Sequence, residues 1–108
     1  MELKTFWTNQ AIEQLEEIFE YYKLTANITV ARKLTKKIID RTIQLENFPE
    51  SGSIEQLLLK RKNKYRYLVE GNYKIIYWIE EPFIKIATIF DCRQNPINII
   101  IKYEQSRT

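Results

Sequence analysis

The chain has 108 residues, of which 44% are hydrophobic and 29% are charged, and its formal net charge is +3 at pH 7. This length and composition are typical of one globular domain spanning residues 1–108. No apolar stretch approaches the roughly 20 residues of a membrane-spanning helix, so no membrane association is expected. The first residues lack the pattern of a signal peptide, and the single cysteine, Cys92, cannot form an internal disulfide, so a cytoplasmic location is expected.

The sequence contains no histidine. General acid–base chemistry near neutral pH usually relies on histidine, so any catalysis would have to use Glu, Asp, Lys, Arg or Tyr. One cysteine without histidine excludes the common zinc patterns, and two glycines are too few for a glycine-rich phosphate loop. We therefore expect neither a metal nor a cofactor.

The first half of the chain predicts a strand followed by a helix. Glu2–Trp7 is short and extended in character, and Thr8 or Asn9 can cap the helix that follows. This helix should end near Leu24–Asn27. Its apolar stripe consists of Ala11, Leu15, Ile18 and Tyr22, flanked by Ile12 and Phe19. The opposite face carries Glu13, Glu16, Glu17 and Glu20.

A second helix is predicted with Thr29 as its cap, and Phe48-Pro49 should end it because the residue before proline avoids helical geometry. Its apolar stripe consists of Ala31, Leu34, Ile38 and Leu45, flanked by Ile39 and Ile43. Its polar side carries Arg32, Lys36, Lys37 and Arg41. One helix is thus acidic on its outer side and the next is basic. A short connection between them predicts an antiparallel hairpin.

The second half of the chain changes to a strand-like period after a turn around Gly52. The predicted strands are Lys64–Glu70, Tyr73–Ile79 and Phe83–Phe90, joined by turns at Gly71-Asn72 and Glu80–Pro82. Because the last of them is apolar on both faces, it should lie inside the sheet. The tail at Ile97–Tyr103 fits either a strand or a helix. The order β-α-α-β-β-β plus a tail predicts an α+β fold, with a helix hairpin on one face of a small, mainly antiparallel sheet.

Positive charge is concentrated in residues 60–66. The five cations of this basic segment are Lys60, Arg61, Lys62, Lys64 and Arg66. Such a patch attracts polyanions and acidic protein segments, although a solvated loop has the same composition. Tyrosines alternate with cations from Tyr65 to Lys74, where they could pack in the sheet or stack on bases.

Residues 90–96, FDCRQNP, interrupt two apolar runs with more polar groups than a plain turn needs. Asp91 and Asn95 can hydrogen-bond their own backbone, and Pro96 can close the turn. We interpret the turn as holding Arg93 at the rim of the sheet, where its planar cation could bind a phosphate or a carboxylate beside Gln94. Cys92 is expected to be a small, partly buried filler.

Four segments stand in order along roughly residues 3–96, and they read FWTNQAIEQLEEIFEYY, LENFPESG, YRYLVEGNYKIIYWI and IATIFDCRQNP. Together they resemble the RelE/ParE superfamily of bacterial toxins. The resemblance implies the toxin half of a type II toxin–antitoxin module, with the fold predicted above. It also implies a cognate antitoxin, whose flexible amphipathic segment would lie along the helices and the sheet edge.

The resemblance leaves two activities open. RelE-like members cut messenger RNA in the ribosome without metal, whereas ParE-like members are associated with inhibiting DNA gyrase. The nuclease pattern implies a basic residue after a tyrosine, an arginine ending the last core strand, and a tyrosine in the tail. Lys74 and Arg93 stand at the first two positions, with Arg66 as a possible third cation, but Ile99 stands where the tyrosine should be.

Isoleucine cannot transfer a proton, so this departure favours the ParE-like branch. The leading hypothesis is therefore a toxin that acts by binding a target such as gyrase. The alternatives are a ribosome-dependent endoribonuclease and a degenerate member that only binds an acidic protein. Residues expected to bind the target or the antitoxin are Lys60, Arg61, Lys62, Lys64, Arg66, Lys74, Arg93 and Gln94.

Overall fold

The computed structural model describes residues 2–106, with side chains described through residue 103. Its elements are β1 (Lys4–Trp7), α1 (Asn9–Thr25), α2 (Ile28–Gln44), β2 (Ser53–Ile54), a 3₁₀ turn (Gln56–Leu58), β3 (Arg66–Glu70), β4 (Tyr73–Glu80), β5 (Phe83–Asp91) and α3 (Asn98–Ser106). They form one five-stranded sheet in the order β1-β5-β4-β3-β2. The pairing of β1 with β5 is parallel and the others are antiparallel. The predicted α+β fold, with a helix hairpin on a mainly antiparallel sheet, is confirmed.

Side-chain caps fix where both long helices begin. The Thr8 hydroxyl accepts from the Ala11 N–H and donates to the Ile86 carbonyl, which ties the start of α1 to β5. The cap of α2 is Asn27, whose Oδ1 accepts from the Val30 N–H at 2.9 Å. The prediction of Thr29 as the cap is wrong, because asparagine is the stronger capping residue and already stands at the end of the short connection.

The two faces of the sheet bury two different clusters. The main core lies under the helix hairpin and includes Ala11, Ile18, Ile38, Leu45, Leu68, Tyr73, Ile75, Tyr77, Ile84, Ile86 and Ile89. The second cluster lies on the opposite face and includes Leu58, Tyr65, Ile76, Ala87, Phe90 and Ile99. Strand β4 alternates between the two clusters as its sequence predicts. Strand β5 supplies side chains to both and lies between β1 and β4, as expected of a strand that is apolar on both faces.

A buried glutamine accommodates an irregularity between β4 and β5. The register shifts there, since Ile76 pairs with Thr88 but the next residue, Tyr77, pairs with Ile86. The Gln14 side-chain oxygen accepts from the Thr88 hydroxyl and from the Ile89 N–H. A helix side chain therefore satisfies a strand donor at the shifted register, which fixes α1 against β5.

Several local predictions differ from the structure. Helix α2 ends at Gln44, earlier than predicted, and hydrogen-bonded turns carry the chain on to Phe48. Strand β3 begins at Arg66 instead of Lys64, and β2 and the 3₁₀ turn were not predicted. Cys92 is exposed, so its assignment as a partly buried filler is wrong; it follows β5 in the turn, beyond the cover of both clusters. No helix among residues 2–106 is long and apolar enough to cross a membrane.

Candidate functional site

The turn after β5 is built around the Asp91 carboxylate. Asp91 Oδ1 accepts from the Arg93 backbone N–H and from its Nε, and Oδ2 accepts from its Nη2, all at 2.8–2.9 Å. Asn95 Oδ1 accepts from the Ile97 N–H at 3.1 Å. Through these bonds the guanidinium is fixed in one orientation relative to the end of the sheet. The residue type of Asp91 predicts its hydrogen bond to the nearby backbone, but not its pairing with the Arg93 guanidinium.

Arg93 stays accessible although it is paired. Its side chain is 53% exposed, while that of Asp91 is 22% exposed. Hydrogen bonding to Arg93 holds the pKa of Asp91 below its ordinary value, and Asp91 in turn raises the pKa of Arg93. The bidentate bond uses Nε and Nη2, so Nη1 is the guanidinium nitrogen that Asp91 does not engage. A charged group held in this way can bind an anionic surface with little loss of side-chain freedom.

A cavity of about 290 Å³ opens beside Arg93, between α1, the end of β5 and α3. Its polar lining includes Gln14, Tyr21, Tyr73, Arg93, Gln94 and Lys102. The Tyr73 hydroxyl donates to that of Tyr22 at 3.4 Å, and burial raises the pKa of Tyr73. Arg93 and Gln94 therefore lie together with a second cation, Lys102, on the same side of the sheet as the helix hairpin.

Lys74 lies on the other side of the sheet and is paired inside the fold. Its Nζ is 3.0 Å from Glu55 Oε2 and 4.1 Å from the centre of the Tyr67 ring. The Glu55 side chain is only 3% exposed, and its other oxygen accepts from the Leu57 N–H. The charge of Lys74 is therefore balanced by an adjacent buried carboxylate. Glu55 was missed because a glutamate in a polar connection has no sequence signal for burial.

The Arg66 side chain is hydrogen-bonded to the backbone of the loop that precedes β2. Its Nη1 donates to the carbonyls of Glu50 and Gly52 at 3.2 and 2.9 Å. This contact ties the loop between α2 and β2 to strand β3.

The rest of the basic segment borders the second cluster. Lys60, Lys62 and Lys64 are exposed, whereas Arg61 is half-buried with its guanidinium 5.0 Å from the centre of the Tyr103 ring. That ring packs edge-on against Tyr65. The structure thus brings Arg61 and Lys74 to one side of the sheet, but it separates them from Arg93 and Gln94. Among the described residues, no group of three or more potential ligands could hold a metal ion.

The stability that the Asp91–Arg93 pair contributes should depend on pH. The pKa of Asp91 in the folded chain lies below its ordinary value of 3.8, so the contribution is complete above that pH and is lost as the pH falls through the folded value. We expect Arg93→Gln to lower the urea midpoint slightly at pH 7, and the difference from the wild type should shrink as the pH falls below 3.8. Urea unfolding of both proteins across this range checks the prediction. A difference that persists at the acidic end would contradict it.

A helix hairpin on a small, mainly antiparallel sheet is the fold that the resemblance to RelE/ParE toxins implies, and Arg93 stands where the nuclease pattern has an arginine after the last core strand. The family described as "ParE toxin of type II toxin-antitoxin system, parDE" matches residues 5–96, and the chain belongs to this family. A solved structure entitled "Chromosomal ParDE TA system from P. aeruginosa" shares the fold, with a TM-score of 0.70 at 17% identity, over 83% of this chain and 96% of that one. No curated protein matches the chain.

Proposed function

We propose that this ParE-family chain inhibits growth by binding DNA gyrase in the cytoplasm and that a cognate antitoxin neutralises it. Membership of the ParE family supports a toxin of a type II system. The observation that carries the proposal is that the cations of the nuclease pattern are not assembled into one site. Lys74 is balanced by Glu55, Arg66 binds loop carbonyls, and Arg93 lies on the other side of the sheet from Lys74.

The tail supports the same conclusion. Ile99, which stands where the nuclease pattern has a tyrosine, is 1% exposed within the second cluster. A buried aliphatic side chain can neither accept the proton of an attacking hydroxyl nor stabilise a phosphate. Binding through a fixed surface needs neither a proton acceptor nor a cluster of cations. Arg93 and Gln94 would form the centre of the target contact.

A gyrase supercoiling assay with the purified chain tests this proposal. The wild type should block supercoiling, and Arg93→Ala should need about tenfold or more protein for the same effect, because a charge-assisted hydrogen bond is lost. Arg93→Lys should recover only part of this, since it keeps the charge without the planar fork. Lys23→Ala, an exposed cation on the outer side of α1, is the matched control and should behave as the wild type. Unchanged supercoiling at a large molar excess of the wild type would refute the gyrase target.

Neutralisation is tested separately by co-expression with the protein encoded by the neighbouring gene, which should restore growth. The exposed lysines of the basic segment should speed capture of an acidic antitoxin segment. The triple variant Lys60→Ala/Lys62→Ala/Lys64→Ala should therefore associate more slowly, and its association rate should depend less on salt. Equal rates for both proteins would exclude this role for the segment.

One observation keeps a ribosome-dependent nuclease as a second candidate. Tyr103 lies one helical turn beyond Ile99 on α3, and its ring packs beside Arg61 on the same side of the sheet as Lys74. This candidate predicts messenger RNA cleavage within codons in a translating extract, lost in Tyr103→Phe. Primer extension that shows intact messages would remove it. Antitoxin binding with neither activity would indicate the third alternative, a module that only binds its protein partner.

A further inference from the structure

The cavity beside Arg93 combines an apolar floor with a polar wall. Three buried side chains of the main core form the floor, namely Ile18, Tyr73 and Ile89. Tyr21 also lines the cavity, and at 53% exposure its ring is accessible to a ligand. The volume of about 290 Å³ is at the lower end of small-molecule sites, which span roughly 300–1,000 Å³. The cavity therefore suits a ligand with one ring and a small polar substituent.

Gln14 supplies a buried hydrogen-bond donor to the polar wall. It lines the cavity and is 8% exposed. Its Oε1 accepts from the Thr88 hydroxyl and from the Ile89 N–H. Because a backbone N–H can only donate, the bond to Ile89 fixes which end of the amide is the oxygen. That oxygen is used by β5, so Nε2 is the polar group of Gln14 that is left for a ligand.

Two cations complete the polar wall. Arg93 binds both oxygens of Asp91 through Nε and Nη2, so an anion can add at Nη1 without breaking that pair. The second cation is Lys102, which is half-buried on α3. Glu17 also lines the cavity, but it is exposed and water screens its charge. The groups that the wall offers to a ligand are therefore mainly donors, and they favour an anion.

We propose that this cavity binds a small molecule that has one aromatic ring and one carboxylate or phosphate group. The ring packs on the apolar floor beside Tyr21, and the anionic oxygens accept from Gln14 Nε2 and Arg93 Nη1. Carboxylate and phosphate offer the same acceptor oxygens, so experiment has to separate them. The proposal goes beyond the gyrase target and does not depend on it, because the purified chain binds such a ligand without any other protein.

An NMR titration of the isotope-labelled chain tests the proposal, with benzoate and phenyl phosphate as the probes. At least one probe should bind with a millimolar or lower Kd and should shift the signal of the Gln14 side-chain amide. The probe that binds more tightly identifies the anionic group that the cavity prefers. Failure of both probes to bind, or binding that leaves the Gln14 signal unchanged, would overturn the proposal.

Three further compounds separate the contributions of the ring and the charge. Benzamide has the ring without the charge, whereas acetate and inorganic phosphate have the charge without the ring. Each should bind at least tenfold more weakly than the better probe, because it lacks one of the two contacts. Equal binding of acetate or inorganic phosphate would indicate an adventitious ion only, and equal binding of benzamide would remove the role of the charge. Either result would overturn the proposal.

Two variants of the polar wall locate the site. Gln14→Glu keeps an acceptor oxygen for β5 but replaces the donor with an anionic oxygen, and it should weaken probe binding at least tenfold. Arg93→Gln removes the second donor and should have an effect of similar size. Because Arg93 is an exposed turn residue, this variant keeps the test valid if circular dichroism shows that Gln14→Glu does not fold. Wild-type affinity in a folded variant of either residue would contradict the assigned contacts.

The remaining charges of the cavity provide the controls. Lys102→Gln should weaken probe binding, whereas Lys36→Gln removes the same charge from the outer side of α2 and should bind as the wild type does. Equal affinities of these two variants would exclude a contribution of Lys102. Glu17→Gln should bind the probe at least as tightly as the wild type. Weaker binding by Glu17→Gln would show that the cavity also requires a cationic group on the ligand, which would overturn the proposed class.

Discussion

We expect Lys74→Met to lower the free energy of unfolding by about 2–4 kcal/mol, because it leaves the Glu55 carboxylate buried without its cation. Glu55 is 3% exposed and its Oε2 lies 3.0 Å from Lys74 Nζ. The expected loss is below the full cost of breaking a buried pair, since the Lys74 side chain keeps 24% exposure and water can reach the site. Urea unfolding at pH 7 measures the change.

Lys85→Met is the matched control for this prediction. Lys85 lies in the same sheet, is 21% exposed and has Nζ 3.6 Å from Glu80 Oε2, but Glu80 is 58% exposed. Removing the Lys85 charge should therefore lower the free energy of unfolding by less than about 1 kcal/mol. Replacing both Glu55 and Lys74 by methionine should recover most of the stability lost in Lys74→Met. Equal losses in the two lysine variants, or no recovery in the double variant, would contradict burial as the cause.

The second large effect is expected at Gly52, where alanine should lower the free energy of unfolding by about 2–4 kcal/mol through overpacking and lost hydrogen bonds. A Cβ there would lie 2.6 Å from the Tyr77 hydroxyl oxygen and 2.8 Å from the Tyr67 carbonyl oxygen. That hydroxyl accepts from the Gly52 N–H and donates to the Pro49 carbonyl. Because Tyr77 is fully buried, its ring has no room to move aside. Thermal and urea unfolding measure the loss.

The other glycine is the control. Gly71 has a φ of 59° and nothing within 4 Å of the position that its Cβ would take. Alanine at this position would have a strained backbone but no steric clash. It should lower the free energy of unfolding by about 1 kcal/mol. If Gly71→Ala destabilised the chain as much as Gly52→Ala, backbone conformation and not the contact with Tyr77 would account for both.

The parts of the fold that sequence predicts best are those with a local physical cause. The alternation along Tyr73–Glu80 assigns each side chain to one of the two clusters, and the apolar run from Phe83 places β5 inside the sheet. The parallel pairing of β1 with β5 has no such local signal, because a short strand can join either edge of a sheet. The two-residue strand β2 is too short to show a period.

The same distinction between local and non-local causes applies to the candidate site. That Asp91 and Asn95 bond the nearby backbone follows from residue type, since their acceptors reach groups two residues away. The partners of Lys74 and Arg66 lie 14–19 residues earlier in the chain, and only the folded sheet brings them together. The resemblance to RelE-like nucleases grouped Lys74, Arg66 and Arg93 as possible catalytic cations, whereas the structure separates Lys74 from Arg93 and binds Arg66 to loop carbonyls.

The pairing of β1 with β5 has a consequence for synthesis of the protein. Lys4 pairs with Phe83, so β1 cannot pair with its neighbour until the ribosome has added about eighty more residues. Strand β5 is also the only described neighbour that joins β1 to the rest of the sheet. A polypeptide released early, before Phe83–Asp91 has been translated, therefore lacks an interior strand of its sheet and is not expected to fold. Prematurely terminated products of the gene would accordingly lack the folded domain of a ParE-family toxin.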